Sequence, residues 1–131
     1  IYPFINLEEK QFDNQNNSSI VVRLDTLDKD FLFMGDIEVN MEEYILMNVD
    51  KDKLRADILK AGHHGSSTSS GELFLEAVKP DNFVISVGEN NFGLPSLRVI
   101  RRLERMGSEV LRTDKDGDII FFAKDGEFLL K

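Results

Sequence analysis

The chain has no cysteine and no tryptophan, only three prolines and only two histidines in 131 residues. Without cysteine there is no disulfide framework and no thiolate metal site, which fits a reducing compartment without requiring one. Any transition-metal site must therefore be built from imidazole and carboxylate. No window holds 18 apolar residues, so no segment reads as membrane-spanning, and no signal peptide is recognisable. Positive charge is also scarce: 16 Lys and Arg against 24 Asp and Glu give a formal charge of −8. That balance disfavours a dedicated nucleic-acid binder, whose affinity comes largely from cations on phosphates. It is compatible with an acidic site completed by a metal cation.

What the chain does hold is enough for one domain with a real core: 15.0 kDa, 41% apolar, ten Phe. It opens at Ile1 without Met, inside the strand-like "IYPFINL". The expectation is a piece of a longer protein. A polar loop, "EEKQFDNQNNSS", leads into "IVVRLDT" (20–26) and, after "DKD", into "FLFMG" (31–35), a hairpin pattern whose second strand ends at Asp36. In "NMEEYILMN", Asn40 and Glu43 form a capping-box pattern, with Met41, Tyr44, Ile45 and Asn48 on one face. A charged connector, "DKDKLR", precedes the strand "ADILKAG" (56–62).

Ser69 and Glu72 suggest a second capping box for "SGELFLEAVKP", stopped near Lys79 by Pro80. "NFVISVG" (82–88) reads as a strand. "PSLRVIRRLERMG" reads as a helix capped by Ser96, with Leu97, Ile100 and Leu103 inward and Gly107 as its stop. "SEVLRT", "DIIFFA" and "EFLL" close the chain as strands, with turns at "DKDG" and "KDG". The order ββαβαβαββ, with a short final strand, predicts an α/β layered fold in a single unit, 1–131, without repeats or internal linkers.

Polar residues stand at three strand ends: Asp36 in "FMGD", His63 and His64 in "KAGHHGS", and Glu89 to Asn91 in "SVGENN". The carboxyl ends of strands are where α/β folds gather ligands. Asp offers a hard oxygen that can bridge cations, and neutral imidazole a nitrogen that zinc or manganese accepts. Gly35, Gly62 and Gly65 allow tight turns there. The competing reading is a polar turn that merely contains histidine. "DKDGD" (114–118) has its glycine misplaced for a calcium loop and no Glu at the twelfth position, so a hairpin turn is expected. Arg98, Arg101, Arg102 and Arg105 line one side of the third helix, either as a solvated face or as a phosphate-binding stripe. "SSTSS" supplies hydroxyls, at least one expected to cap a helix.

From about Asn17 to Ile120, with "GHHGS", "ISVGENN" and "RTDKDG" in order, the sequence resembles the metallo-β-lactamase-fold hydrolase domain of ComEC-type DNA-uptake proteins. The resemblance implies the C-terminal portion of an αββα sandwich, a mixed sheet with flanking helices. It implies a metal-dependent phosphodiesterase or nuclease using two zinc or manganese ions. Asp36 would be the bridging ligand and His64 a ligand of the second metal. His63 would be a catalytic neighbour beside the metal or on the phosphate, with the two histidines interchangeable in these roles. Ser66, Asn90, Asn91, Arg98 and Arg102 would be candidate substrate or phosphate contacts. The family's His-x-His-x-Asp-His cluster has no counterpart here, and Leu94 stands where relatives carry His. The resemblance therefore implies a missing N-terminal half as partner, DNA as substrate of the whole protein, an inactive isolated chain, and self-association of its uncovered surface. The parent would be a bacterial cytoplasmic-membrane protein with this domain outside the cytoplasm. The alternative is a degenerate or truncated module with a structural or interaction role.

Overall fold

The computed structural model describes residues 1–8, 11–124 and 127–130. Strands β1 (Val22–Asp25) and β2 (Asp30–Phe33) form the expected hairpin, antiparallel with Val22 opposite Phe33. From β2 onward every step is parallel, through β3 (Ile58–Lys60), β4 (Asn82–Ile85) and β5 (Glu109–Arg112). The five-stranded sheet is mixed and runs in sequence order, β1-β2-β3-β4-β5. Helices α1 (Val39–Asn48) and α2 (Lys51–Leu54) link β2 to β3, α3 (Glu72–Val78) links β3 to β4, and α4 (Leu97–Met106) links β4 to β5. Crossovers between parallel strands are almost always right-handed. Three successive crossovers stepping the same way along a sheet therefore put their helices on the same face.

Side-chain alternation confirms the one-sided layering. Leu32, Leu59, Phe83 and Ile85 are fully buried, in one core with Ile45, Leu54, Phe74, Leu75, Val78, Val99 and Leu103 of the helices. The opposite face carries Val22, Leu24, Phe31, Phe33, Ile58, Lys60, Val84 and Leu111. Within it Phe31, Ile58 and Leu111 are buried. Its β1 side is open: Val22, Leu24 and Phe33 are 47%, 50% and 40% exposed. A small second sheet, β6 (Phe121–Lys124) antiparallel to β7 (Glu127–Leu130), touches this face where Phe121 meets Phe31 edge-on at 5.8 Å. Between them runs an apolar groove of about 470 Å³ lined by Phe31, Phe33, Ile58, Val84, Ile119 and Phe121, with Lys60 and Ser86 its polar members.

Several local expectations are corrected. Glu38, not Asn40, is the N-cap residue of α1, and Glu42 with Ile45 forms the buried face while Tyr44 is exposed. The connector "DKDKLR" contains α2, one helical turn. Ser69 caps nothing: α3 starts after Gly71, which makes no side-chain cap, because the Ser69 hydroxyl is spent on the carbonyls of Gly62 (2.7 Å) and Ser66 (3.0 Å). Lys79, left-handed at φ 51°, ends α3 just before Pro80, as expected. In α4, Ser96 is the cap (Oγ to the Arg98 amide, 3.3 Å) and Gly107 the stop, but Val99 and Leu103 face inward and Leu97 is exposed. "DKDG" is not a hairpin turn. Thr113–Asp116 is a helical turn, α5, and β5 does not pair with β6. The Asp116 carboxylate accepts from the Arg112 amide at 2.7 Å, and Asp114 pairs with the Arg112 guanidinium. The turn expected at "KDG" falls partly outside the described residues. Of "IYPFINL", only Tyr2 pairs, as an antiparallel bridge to Val21.

Candidate metal and phosphate site

The carboxyl ends of β2, β3 and β4 lie side by side, and the turns that leave them meet. After β3 the chain turns through Gly62–Gly65 with both histidines in left-handed backbone, His63 at φ 43° and ψ 47°, His64 at φ 51° and ψ 30°. Such conformations cost about 1–2 kcal/mol for each non-glycine residue and persist only when the surroundings impose them. The impositions are visible. The His63 amide donates to the Gly35 carbonyl at 3.1 Å, the Ser96 amide to Gly65 at 2.9 Å, and Ser69 Oγ holds both Gly62 and Ser66. A Cβ on Gly65, itself at φ 77°, would lie 2.9 Å from Pro95 Cβ.

His64 Nδ1 stands 2.7 Å from the Ser86 carbonyl at the end of β4. A carbonyl can only accept, so Nδ1 carries the hydrogen and a neutral ring presents a bare Nε2. That Nε2 faces Asp36 Oδ1 at 3.6 Å. Two acceptors in apposition, 46% and 41% exposed, are satisfied by a proton on Nε2, by a water donating to both, or by a metal ion. A tetrahedral ion with donors at about 2.0–2.2 Å holds neighbouring donors about 3.3 Å apart, and metal-bound histidines commonly give their other N–H to a carbonyl. The pair thus fits two donors of one ion. Among the described residues, however, no group of three or more His, Cys, Asp or Glu could hold a metal.

Three neighbours of the site were not legible as such. Glu38 Oε1 lies 3.4 Å from His63 Nδ1 and accepts from Thr68 Oγ1 at 2.8 Å. The segment Asn14–Ser19, read as a plain polar loop, lies against the same strand ends: Asn16 Nδ2 is 3.4 Å from His63 Nδ1, Asn17 Oδ1 accepts from the Glu38 amide, and Ser19 Oγ from the Asp36 amide. Lys60 is half-buried and donates to Ala61 O at 2.8 Å. Burial pushes its ammonium below the ordinary lysine range, while the nearby Asp36 charge pulls it back up. The signal available in sequence for Glu38 was its position two residues after Asp36; nothing local marked Asn16 or Ser19.

The remaining candidates are placed differently. Ser66 is buried and bonds Thr68 Oγ1 at 3.0 Å. Asn90 braces its own loop, donating to Gly88 and Leu94 carbonyls and accepting from the Phe92 and Leu94 amides. Asn91 and Arg98 are exposed. Arg102 donates to the Ser70 carbonyl, beside the buried Glu42, whose carboxylate accepts from the Ser70 and Gly71 amides at 2.6 and 2.7 Å. Of the "SSTSS" hydroxyls, none caps α3.

No protein-family model matches the chain. Among curated proteins it is similar to ComE operon protein 3 of Bacillus subtilis (strain 168), 39% identical over 113 residues, covering 86% of this chain and 14% of that protein. It is similar to competence protein ComA of Neisseria gonorrhoeae, 33% identical over 121 residues (92% and 17%). It is also similar to recombination protein 2 of Haemophilus influenzae, 35% identical over 105 residues (79% and 13%). The likeness runs along most of this chain, which spans between 13% and 17% of the length of these relatives.

Proposed function

We propose that this chain is one portion of a metallo-β-lactamase-like domain in a competence protein, and that it supplies part of a metal-dependent phosphodiesterase or nuclease site acting on DNA during uptake. The observation that carries the reading is the apposition of Asp36 and His64, with His64 Nδ1 tied to Ser86. Competence is in the name of one similar protein, competence protein ComA. A divalent pair, zinc or manganese, would supply an activated water and stabilise the departing oxygen. Asp36 and His64 would hold the ions, and His63 would face the water or phosphate beside them. Arg98 would be free to meet the nucleic-acid backbone, while Arg102 holds the Ser70 peptide.

The remaining donors, and cover for the apolar sheet face, would come from sequence outside this chain, which therefore counts as a single partial domain, 1–131. The whole protein would sit in a bacterial cytoplasmic membrane with this domain outside the cytoplasm. Within the chain, no helix among the described residues is long and apolar enough to cross a membrane. The test is metal-dependent cleavage of single-stranded DNA by the longer protein: activity abolished in Asp36→Ala and His64→Ala supports the reading, and activity retained in both overturns it. A second reading, a module with a structural or interaction role, is favoured by the shortfall in ligands among the described residues.

A further inference from the structure

We propose that Glu38 is a positioning residue: it occupies the Nδ1 edge of His63 and so leaves Nε2 of that ring as a bare acceptor nitrogen, the same state that Ser86 imposes on His64. The use of such a nitrogen, accepting a hydrogen from a water near the phosphate, rests on the hydrolase reading above. The placement does not.

The Glu38 carboxylate stands between the start of α1 and the histidine loop. Glu38 is the N-cap residue of α1, yet its side chain makes no cap hydrogen bond, so the carboxylate is not satisfying its own helix. The helix is capped through the backbone, with the Glu38 carbonyl accepting from Met41 (2.9 Å) and Glu42 (3.0 Å). The carboxylate turns instead toward the histidine loop, where Oε1 is fixed by Thr68 Oγ1 at 2.8 Å and stands 3.4 Å from His63 Nδ1. Thr68 is held in turn by Ser66 Oγ at 3.0 Å, and the Glu38 amide by Asn17 Oδ1 at 3.0 Å. Both side chains are largely sheltered, 29% exposed for His63 and 20% for Glu38.

Asn16 Nδ2 also lies 3.4 Å from His63 Nδ1, and as placed this contact has hydrogen-bond geometry while that of Glu38 is an ion-pair distance only. An imidazole nitrogen offers either one hydrogen or one lone pair, so it can serve only one of the two neighbours. An ionised carboxylate outbids a neutral amide for a hydrogen. The Asn16 amide can turn over to present its oxygen to that same hydrogen. Among the described residues, no hydrogen bond is made to His63 Nε2. With His64 held at Nδ1 by Ser86, the two adjacent rings share one tautomer by two unrelated means, a side-chain carboxylate and a main-chain carbonyl.

Long-range ¹H–¹⁵N spectra of this chain, ¹⁵N-labelled and metal-free, test the assignment. Its two histidines are told apart by His64→Ala. In its neutral form the His63 ring should carry the hydrogen on Nδ1 by roughly tenfold, the order expected for a charged over a neutral acceptor. Glu38→Gln should collapse that preference, and Thr68→Val, which keeps the carboxylate but removes its anchor, should reduce it. A predominantly Nε2–H ring in the wild type overturns the proposal, as does a His63 ring unmoved by Glu38→Gln. If Glu38→Gln disturbs the fold, seen as displaced His64 signals, Thr68→Val decides: a reduced preference supports the proposal and an unchanged one overturns it. Failure of DNA cleavage in the longer protein would sink the hydrolase reading while leaving these ring shifts as they are.

Discussion

Asp36 Oδ1 and His64 Nε2 face each other at 3.6 Å, and the hydrogen that would separate them is not available from the ring's own Nδ1, which belongs to Ser86. This makes cation binding at the pair a specific expectation. Two protein donors fall short of the three or four that hold zinc firmly. Calorimetry on the isolated chain should therefore find weak zinc binding, removed by either Asp36→Asn or His64→Ala. Tight binding that survives both substitutions would place the metal elsewhere.

The isolated chain should not cleave single-stranded DNA with zinc or manganese present, because too few donors are assembled. Metal-stimulated cleavage by the purified chain, lost in Asp36→Ala, would show that these residues suffice.

Glu42 should be felt in stability. Its carboxylate is buried and takes both amides at the start of α3. Glu42→Gln sets an NH₂ against one of those N–H donors, at a cost of about 1–3 kcal/mol. Burial raises the Glu42 carboxyl above its ordinary 4.5, by more than the Gly71 and Ser70 amides and Arg102 lower it. The folded state then holds this proton to higher pH than the unfolded state. The contribution is fully present below the unfolded value and declines as pH rises through the folded one. Urea titrations should find the wild-type advantage over Glu42→Gln largest in acid and shrinking toward neutrality. A gap that widens with pH would contradict this.

Gly35→Ala should be strongly unfavourable. Gly35 has φ 56°, and a Cβ there would lie 2.6 Å from Ser19 Cβ and 3.2 Å from the Ile20 carbonyl. The backbone conformation alone costs a non-glycine residue about 1–3 kcal/mol. A urea midpoint equal to that of the wild type would mean that this approach of loop to strand end is looser than described.

The open side of the sheet should drive association. Val22, Leu24 and Phe33 form a contiguous exposed apolar strip. Sedimentation should show mass rising with concentration, and Leu24→Ser with Phe33→Ser should abolish the rise. A wild-type chain that stays monomeric throughout would count against the strip as an adhesive surface.

The meeting of Asp36, His63 and His64 at neighbouring strand ends was legible because it depends on short-range pattern: apolar runs that stop at these residues, with glycine at each turn. The hairpin, the stop at Lys79 and the Ser96 cap were legible for the same reason. The capping boxes at Asn40 and Ser69 misled because each side chain was claimed elsewhere, Asn40 by the distant Asn17 and Ser69 by its own loop. Asn40 Oδ1 accepts from Asn17 Nδ2, and Ser69 Oγ from no helix amide at all, donating to Gly62 and Ser66 instead. Long-range bonds such as Asn17 to Asn40 leave no periodic trace, which also explains why nothing local marked Asn16 or Ser19. The resemblance read in the sequence directed attention to Asp36 and His64. It said nothing of Ser86 or Glu38, whose approach to the two rings comes from the fold.

The two left-handed histidines carry an engineering consequence. Glycine or asparagine at 63 or 64 would relieve the backbone while discarding an imidazole, so selection for thermal robustness alone would push those positions away from histidine. A stabilised library of this chain, sequenced after selection, should therefore lose His63 and His64 early, and any screen that keeps both must be asking for something other than durability.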